Sequence, residues 1–429
     1  MPTKQDIALI AHLMRRAGFG EPRADLVARA DKGYEAVVEE LLHPEDQPPI
    51  DEELMYRILP GYEGALGPPI SQADWMFRMV NTQRPLEEKI ALFWHQMFAT
   101  SNSKVDNPPE IGRQIAMFRE YGLGKYGELL VELAKSPAMI FWLDNHGNHD
   151  GSINENWGRE LLELFSLGVG NYTEDDIQSA ARAFTGWTIA PKIPRNPLGR
   201  FFWNFEYKPE DHDDEEKTFL GHTGNLNGED IMGIIVDQPA SPRFLARHLY
   251  RFFVADEPDV SSWNSIPPND PAAIEILVDA YNESHGDIRA ILRVLFNSDF
   301  FKTSQFARVK SSAELIVGTV RMAGTGTAQP AQRGRLAHWR GLDRRWCIDA
   351  PCQFRGGCPG RYFPPWCPSN RRPGPVATEQ LGTNHGCRLP RLHGAAAGQR
   401  HNLERTTQPR PKWRGLGLEH ARRDQLLRR

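Results

Sequence analysis

Cysteine is missing from residues 1–330. The five cysteines of the chain are Cys347, Cys352, Cys358, Cys367 and Cys387. The first 330 residues therefore offer no disulfide and no thiolate ligand. Any metal there would be bound by oxygen and imidazole groups, which favour hard or borderline cations.

Common catalytic and nucleotide-binding motifs are also missing. The sequence has no G-x-S-x-G elbow, no P-loop, no G-x-G-x-x-G after a strand and no H-E-x-x-H. These absences argue against a serine hydrolase of the α/β class and a zincin protease. They also predict that the protein uses no nucleotide cofactor.

Long apolar runs are lacking as well. No stretch approaches the roughly 18 apolar residues that suggest a membrane span. Residues 1–6 show no basic segment leading into a long apolar core. The sequence therefore predicts a cytoplasmic protein with no membrane contact.

Positive charge is scarce in the larger part of the chain. Residues 331–429 contain 20 Lys and Arg against 6 Asp and Glu, whereas residues 1–330 contain 31 against 49. An acidic body of this kind repels phosphate and argues against nucleic-acid binding. It suits cationic partners, including metal ions.

The composition changes abruptly after residue 325. Arg, Pro, Gly, Cys and Trp become abundant from residue 331 and helical periodicity is lost. Three interpretations are open for residues 326–429: a disordered basic tail, a zinc-binding appendage on Cys347, Cys352, Cys358 and Cys367, or translation in a shifted reading frame. The cysteine spacing lacks the paired C-x₂₋₄-C of zinc modules, and we favour the shifted frame.

Helical periodicity dominates residues 1–325. Apolar residues recur at helical spacing after Pro85, and Thr173 opens a further helix with a capping box closed by Asp176. Helices are also predicted at 125–143 with a break near Ser136 and Pro137, and at 241–254, 271–283, 286–297 and 311–323. Residues 201–207 are the best strand candidate, within a loop-rich insertion at 190–230. The predicted fold is a mainly α, multi-helix domain over residues 1–325.

A polar loop with three possible oxygen ligands precedes one of these helices. Asp144, Asn148 and Asp150 lie within seven residues, and Asn148-x-Asp150-Gly151 resembles the middle of a calcium loop. The first and twelfth positions would be His146 and Trp157, which rules out an EF-hand. We therefore weigh a looser hard-cation site against a solvated polar loop.

The helix after this loop carries two further carboxylates. At about 100° per residue, Trp157, Leu161 and Leu164 fall in one buried sector. Glu160 lies within or at the edge of that sector, with Glu163 next to it. A buried carboxylate needs a partner. It could be a structural ion pair, a metal ligand or a general acid or base.

Two histidines are candidate general bases. His95 lies at the margin of the apolar face of its helix, and His212 lies in the acidic run 211–216. An imidazole titrates near neutral pH and can accept a proton from water. A hydrogen-bonded boundary histidine and a solvated charged loop are the structural alternatives.

Several blocks of this sequence occur together in one family. They are residues 12–20 (HLMRRAGFG), 85–89 (PLEEK), 93–101 (FWHQMFATS), 143–145 (LDN), 154–165 (NENWGRELLELF), 168–174 (GVGNYTE), 183–187 (AFTGW), 217–221 (KTFLG) and 251–254 (RFFV). Over residues 7–325 the chain resembles the domain of unknown function 1800 (DUF1800) family. The resemblance implies a mainly helical fold and no established activity. The C-terminal block usual in that family is missing here.

These residues lead to a working hypothesis of a hydrolase for esters, lactones or phosphoesters. A divalent cation, Ca²⁺ or Mg²⁺, would be bound by Asp144, Asn148, Asp150, Glu160 and Glu163. His95 or His212 would activate water for attack on a small-molecule substrate, with Glu160 also a candidate acid or base. The alternatives are a non-catalytic binding or assembly protein with a buried polar lock, and a metal-free glycan hydrolase with two carboxylates.

Overall fold

Helices make up most of the chain that the computed structural model describes, namely residues 1–51, 68–190 and 203–323. The prediction of a mainly α fold is therefore confirmed. All of these residues belong to one compact unit. Residues 326–429, with the five cysteines, lie outside the described residues, so the three interpretations of that segment stay predictions.

The first ten helices precede the candidate site or lead into it. They are α1 (Lys4–Arg16), α2 (Arg23–Lys32), α3 (Tyr34–Leu42), α4 (Pro68–Asn81), α5 (Pro85–Met97), α6 (Asn102–Val105), α7 (Pro108–Tyr121), α8 (Tyr126–Lys135), α9 (Pro137–Trp142) and α10 (Asn156–Glu160). A π-helical turn, Leu161–Ser166, continues α10 without a break.

Seven more helices follow. They are α11 (Glu174–Ala183), α12 (Gly228–Val236), α13 (Ala240–Phe253), α14 (Pro271–Ser284), α15 (Ile288–Asn297), α16 (Asp299–Thr303) and α17 (Ser312–Met322). Short 3₁₀ turns lie at Pro44–Asp46, Asn145–Gly147, Pro209–Asp211 and Val260–Ser262.

Local sequence accounts for many of the helix ends. Thr173 and Asp176 form the predicted capping box of α11, each side chain bonded to the other's backbone N–H. Pro85 and Pro137 occupy the first helical turn, where the missing N–H has no partner to lose. The predicted break at Ser136 separates α8 from α9.

Four short strands form two hairpins in the predicted loop-rich region. β1 (Trp187–Ala190) pairs with β2 (Asn204–Tyr207), and β3 (Lys217–Phe219) pairs with β4 (His222–Gly224), both antiparallel. β2 coincides with the end of the predicted strand, whereas the other three strands were not predicted. The sequence 191–202, which includes the first two residues of that predicted strand, lies outside the described residues.

One hydrophobic core connects the N-terminal helices with those after the hairpins. It includes Leu13, Trp94, Phe184, Leu249 and Phe296, each almost inaccessible to solvent. A smaller cluster lies beneath the first hairpin, around Val105, Ile140 and Ile189. Within the described ranges, no helix combines the length and the apolar character needed to cross a bilayer.

Candidate functional site

Asparagine side chains fasten the loop between α9 and α10 to the core. Asn148 Nδ2 donates to the carbonyl of Ala181 at 2.7 Å and to Asn145 Oδ1 at 3.2 Å. Asn148 Oδ1 accepts from the backbone N–H of Asn154 at 2.9 Å. Asn145 Nδ2 donates to the carbonyl of Trp187 at 2.9 Å. Both ends of the Asn148 amide therefore serve the packing of this loop.

The two aspartates of the loop face different neighbours. Asp144 has a left-handed backbone, with φ of 60°, and its carboxylate pairs with Lys104 at 2.7 Å. Lys104 also donates to the carbonyl of Trp142 at 2.6 Å. Asp150 is exposed, and its backbone N–H donates to the carbonyl of Asp211 at 3.3 Å. Each predicted oxygen ligand of the loop thus has its own set of contacts.

A second loop, residues 208–216, meets the first through a histidine that the sequence analysis did not select. His149 Nδ1 pairs with the carboxylate of Asp211 at 2.5 Å. The predicted base His212 is buried, and its Nδ1–H donates to the carbonyl of Thr185 at 2.9 Å. In the neutral ring this arrangement leaves the lone pair on Nε2. The structure therefore brings the segment of His212 next to the loop that carries Asp150.

α10 packs closely on α11 because its middle residue is a glycine. A Cβ on Gly158 would lie 2.9 Å from the carbonyl oxygen of Ile177 and 3.1 Å from the backbone nitrogen of Ala181. A larger residue would force the two helices apart. Trp157 beside it is only 2% exposed. Together these contacts fix the position of α10 and of Glu160 at its end.

The π-helical turn after α10 changes the direction of the side chains that follow. Ser166 Oγ donates to the carbonyl of Leu161 at 2.6 Å, and the Tyr126 hydroxyl donates to the carbonyl of Phe165. The predicted burial of Leu164 is wrong, because its side chain is 39% exposed. The prediction assumed regular α-helical rotation, which this wider turn does not have. Single π turns of this kind are frequent at functional sites.

Glu160 and Glu163 form a pair of half-buried carboxylates here. Burial raises the pKa of Glu160, the charge of Glu163 raises it further, and Arg159 offsets these effects only in part. Arg159 itself pairs with Glu174 at 2.7 Å and with Glu155 at 3.1 Å. Among the residues that the structure describes, no hydrogen bond or ion pair reaches the Glu160 carboxylate.

Tyr172 distinguishes the two carboxylates. Its hydroxyl donates to Glu163 at 3.3 Å, so Glu163 has a hydrogen-bond partner. Burial and the charge of Glu163 raise the pKa of Tyr172, so its phenol is a hydrogen-bond donor to Glu163. Paired carboxyl groups in unequal surroundings are the arrangement that acid–base catalysis uses to separate two roles.

His95, the other predicted base, lies on the buried side of α5. Burial lowers the pKa of His95 to about 4, so its ring is neutral at pH 7. Its Nδ1 has no hydrogen-bond partner within the described part of the chain, and the ring meets Trp75 edge-on with centroids 5.3 Å apart. No hydrogen bond in this part joins either histidine, His95 or His212, to Glu160.

The structure thus unites only some of the predicted site residues. Glu160 and Glu163 are close neighbours and Tyr172 bonds to Glu163, while Asp144, Asn148 and Asp150 have separate partners. Residues 1–51, 68–190 and 203–323 contain no group of three or more His, Cys, Asp and Glu side chains suited to a metal ion. The sequence analysis missed Tyr172 as a member of the site. Its position inside the block 168–174, seven residues after Phe165, offered no periodic pattern to select it.

Comparison with known proteins places the chain in one family. No curated protein and no solved structure matches it. The model of a family described as "Protein of unknown function (DUF1800)" matches residues 12–345. This match covers most of the chain, includes all the site residues named above and ends beyond residue 325. The resemblance seen in the sequence is confirmed, and the chain belongs to the DUF1800 family.

Proposed function

We propose that this protein is a hydrolase of esters, lactones or phosphoesters whose reacting carboxyl group is Glu160. The observation that carries this proposal is the half-buried Glu160 carboxyl, which has a raised pKa and no hydrogen bond or ion pair in the described part of the chain. Groups with perturbed pKa values cluster at functional sites. The π-helical turn supports the same location.

A hard divalent cation fits this pair of carboxylates. Glu160 and Glu163 repel each other, and the nearest guanidinium, on Arg159, is occupied by Glu155 and Glu174. A bound cation would relieve that repulsion. Mg²⁺ suits the site better than Ca²⁺, because Mg²⁺ binds through one or two carboxylates and retains several waters. Such a cation polarises the ester or phosphoester oxygen.

The cation proposal rests on Glu160 and Glu163 more than on the preceding loop. Asp144 already faces Lys104, and the amide of Asn148 is used at both ends. Binding a cation there would require these contacts to break. Asp150 is exposed and lies beside Asp211.

His212 is the better of the two proposed bases. Its Nδ1–H is held by the carbonyl of Thr185, so Nε2 is free to accept a proton in the neutral ring. The ring of His95 is neutral at pH 7 but buried against Trp75. No direct hydrogen bond joins either imidazole to Glu160 in the described residues, so the base role of His212 is a proposal separate from that of Glu160.

The test is a panel of ester, lactone and phosphoester substrates assayed with added Mg²⁺ and with EDTA. Glu160→Gln and Glu163→Gln keep the side-chain shape but remove the charge. We expect each to lower activity and Mg²⁺ affinity by about tenfold or more. The matched control is Glu283→Gln, an exposed carboxylate on α14, which should change neither quantity. Full activity in Glu160→Gln would reject the proposal.

A metal-free glycan hydrolase is a second candidate. It is favoured by the unequal surroundings of Glu160 and Glu163, because such enzymes use one protonated and one ionised carboxyl group. Burial raises the pKa of Glu160, which suits the acid role in such a pair. Activity on glycosides that EDTA leaves unchanged, and that Glu160→Gln abolishes, would favour this candidate over the cation-assisted one.

A non-catalytic binding or assembly protein is the third candidate. The observation in its favour is the network of buried Asn145 and Asn148 with half-buried Asn154, which joins the loop to α11 by hydrogen bonds. This candidate predicts no turnover in any substrate panel and no change in metal content when Glu160 is replaced.

A further inference from the structure

A cavity of about 250 Å³ lies where the first turn of α5 meets α4 and α7. Charged and polar side chains form most of its lining, namely Glu87 and Glu88 of α5, Arg119 of α7, and Arg78 and Thr82 at the end of α4. Pro49 and Ile50 add a short apolar wall. Pockets for drug-sized ligands measure roughly 300–1,000 Å³, so this cavity suits a smaller polar molecule.

Two of the lining charges are engaged by the fold itself. Glu88 Oε1 accepts from Nε–H of Arg119 at 2.8 Å, and Glu88 Oε2 accepts from the indole N–H of Trp75 at 2.9 Å. Arg78 pairs with Asp74 at 3.1 Å. Both oxygens of Glu88 are therefore occupied, and these contacts fix the walls of the cavity.

The other two charges, Glu87 and Arg119, have hydrogen-bonding capacity left. Arg119 uses Nε for Glu88, and its terminal nitrogens Nη1 and Nη2 have no hydrogen bond in the described part of the chain. Glu87 Oε1 accepts from Arg84 at 3.4 Å, a long hydrogen bond, and Glu87 Oε2 has none among the described residues. The side chains of Arg119 and Glu87 are 17% and 20% exposed, so a ligand can reach both.

An anion and a cation thus lie close together without pairing with each other. Glu87 and Glu88 are consecutive and Glu88 pairs with Arg119, yet no ion pair joins Glu87 to Arg119 within the described ranges. Burial raises the pKa of Glu87, and Arg84 offsets this effect only in part. An ammonium group of a ligand would stabilise the ionised Glu87 carboxylate. A carboxylate of the same ligand would match the planar fork of the guanidinium.

We propose that this cavity binds a small apolar α-amino acid as a zwitterion. The carboxylate of the ligand accepts from the terminal N–H groups of Arg119, its ammonium group donates to Glu87, and its side chain lies against Pro49 and Ile50. An α-amino acid carries both charges next to one carbon, which suits two protein charges this close together. A neutral sugar would leave both without an ionic partner. Glu160 does not line the cavity, so binding here is independent of the proposed hydrolase activity.

The test is isothermal titration calorimetry of the full chain at neutral pH, with L-valine as the probe. Isovalerate has the same carbon chain and carboxylate but no ammonium group, and isobutylamine has no carboxylate. Each should bind about tenfold or more weakly than L-valine, because each leaves a hydrogen bond between charged groups unmade. No saturable heat with L-valine, or equal affinity for L-valine and either analogue, would overturn the proposal. So would tighter binding of D-glucose, the neutral reference.

Two variants test the protein side of the same contacts. Glu87→Gln keeps the side-chain shape but removes the charge, and Arg119→Lys keeps a positive partner for Glu88 but loses the fork. Each should weaken L-valine binding by about tenfold or more. The matched control is Glu120→Gln, an exposed neighbour of Arg119 on α7, which should bind L-valine like the unaltered protein. Unchanged affinity in both variants would overturn the proposal. The comparison of ligands needs no variant and decides the question if melting curves show that a variant is unfolded.

Discussion

Two carboxylates on helices, the buried Glu314 and the half-buried Glu160, have opposite surroundings. Burial alone would raise the pKa of Glu314, but Lys89, Arg16 and Arg308 outweigh it, and the pKa of Glu314 lies well below its usual range. Glu314 forms ion pairs with Lys89 and with Arg16, the second at 3.3 Å. Glu160 has no such cation, and its pKa is raised.

The difference separates a carboxylate that stabilises the fold from one that does not. Glu314 on α17 connects α1 through Arg16 with α5 through Lys89, and the fully buried Lys89 has its pKa lowered by burial to about 8. Every member of that group has a partner. Glu160 makes no comparable contact in the described residues. The unfavourable free energy of its partial burial is therefore not offset by an ion pair or a hydrogen bond. For this reason we propose a functional role for Glu160 and a structural role for Glu314.

The largest expected effect comes from breaking the ion-paired group of Glu314, Arg16 and Lys89. Glu314→Gln leaves Arg16 and Lys89 buried without a negative partner. Removing one member of a buried ion pair costs about 3–5 kcal/mol of unfolding free energy, which urea denaturation would measure. The control is Glu283→Gln at an exposed position, expected to stay within about 0.5 kcal/mol. A Glu314 variant as stable as this control would show that Glu314 does not stabilise the fold.

An intermediate effect is expected where α10 approaches α11. Gly158→Ala places a methyl group 2.9 Å from the carbonyl oxygen of Ile177. The overpacked contact should cost about 1–3 kcal/mol. Gly233→Ala on α12 is the control, since nothing lies within 4 Å of its added Cβ. That substitution should be neutral or stabilising by up to about 1 kcal/mol. Equal Tm values for the two variants would show that α10 is not held by this contact.

The smallest effect concerns Glu160 itself and has the opposite sign. The raised pKa means that ionising Glu160 destabilises the folded state as pH rises from 4.5 through the raised value. Glu160→Gln should therefore increase stability at pH 7, by less than about 1 kcal/mol because water screens a half-exposed group. The gain should vanish below pH 4.5, where the carboxyl is neutral in both states. A large loss of stability at pH 7 would instead reveal a structural partner.

Helix ends that depend on neighbouring residues were predictable from the sequence. The capping box at Thr173, the first-turn proline at Pro85 and the break at Ser136 each act within a few residues, and the structure has the corresponding helix ends. Most strands were not predicted, because β3 and β4 have only three residues each and depend on pairing with each other. Strands of three residues are too short to show the alternation of apolar and polar residues that predicts a strand.

The candidate site was predictable in part. The phase of α10 indicated a half-buried Glu160, but the partner of Asn148 is Ala181 on a later helix, and no periodicity reports such a long-range contact. The same limit applies to Asp144 with Lys104 and to His149 with Asp211. The prediction from helical periodicity that Leu164 is buried was wrong, because the π-helical turn rotates less per residue than an α-helix. In each case tertiary contacts settled what the local pattern left open.

The widened turn at Leu161–Ser166 has a further consequence for how this protein can change. An i→i+5 turn holds one residue more than the α-helical turn it replaces, so it absorbs an insertion without rotating the segments on either side. Within the turn, Leu161, Leu162 and Phe165 belong to the core, whereas Glu163 and Leu164 are accessible to solvent. Substitutions at positions 163 and 164 can therefore alter the surroundings of Glu160 and leave the core side of the turn unchanged.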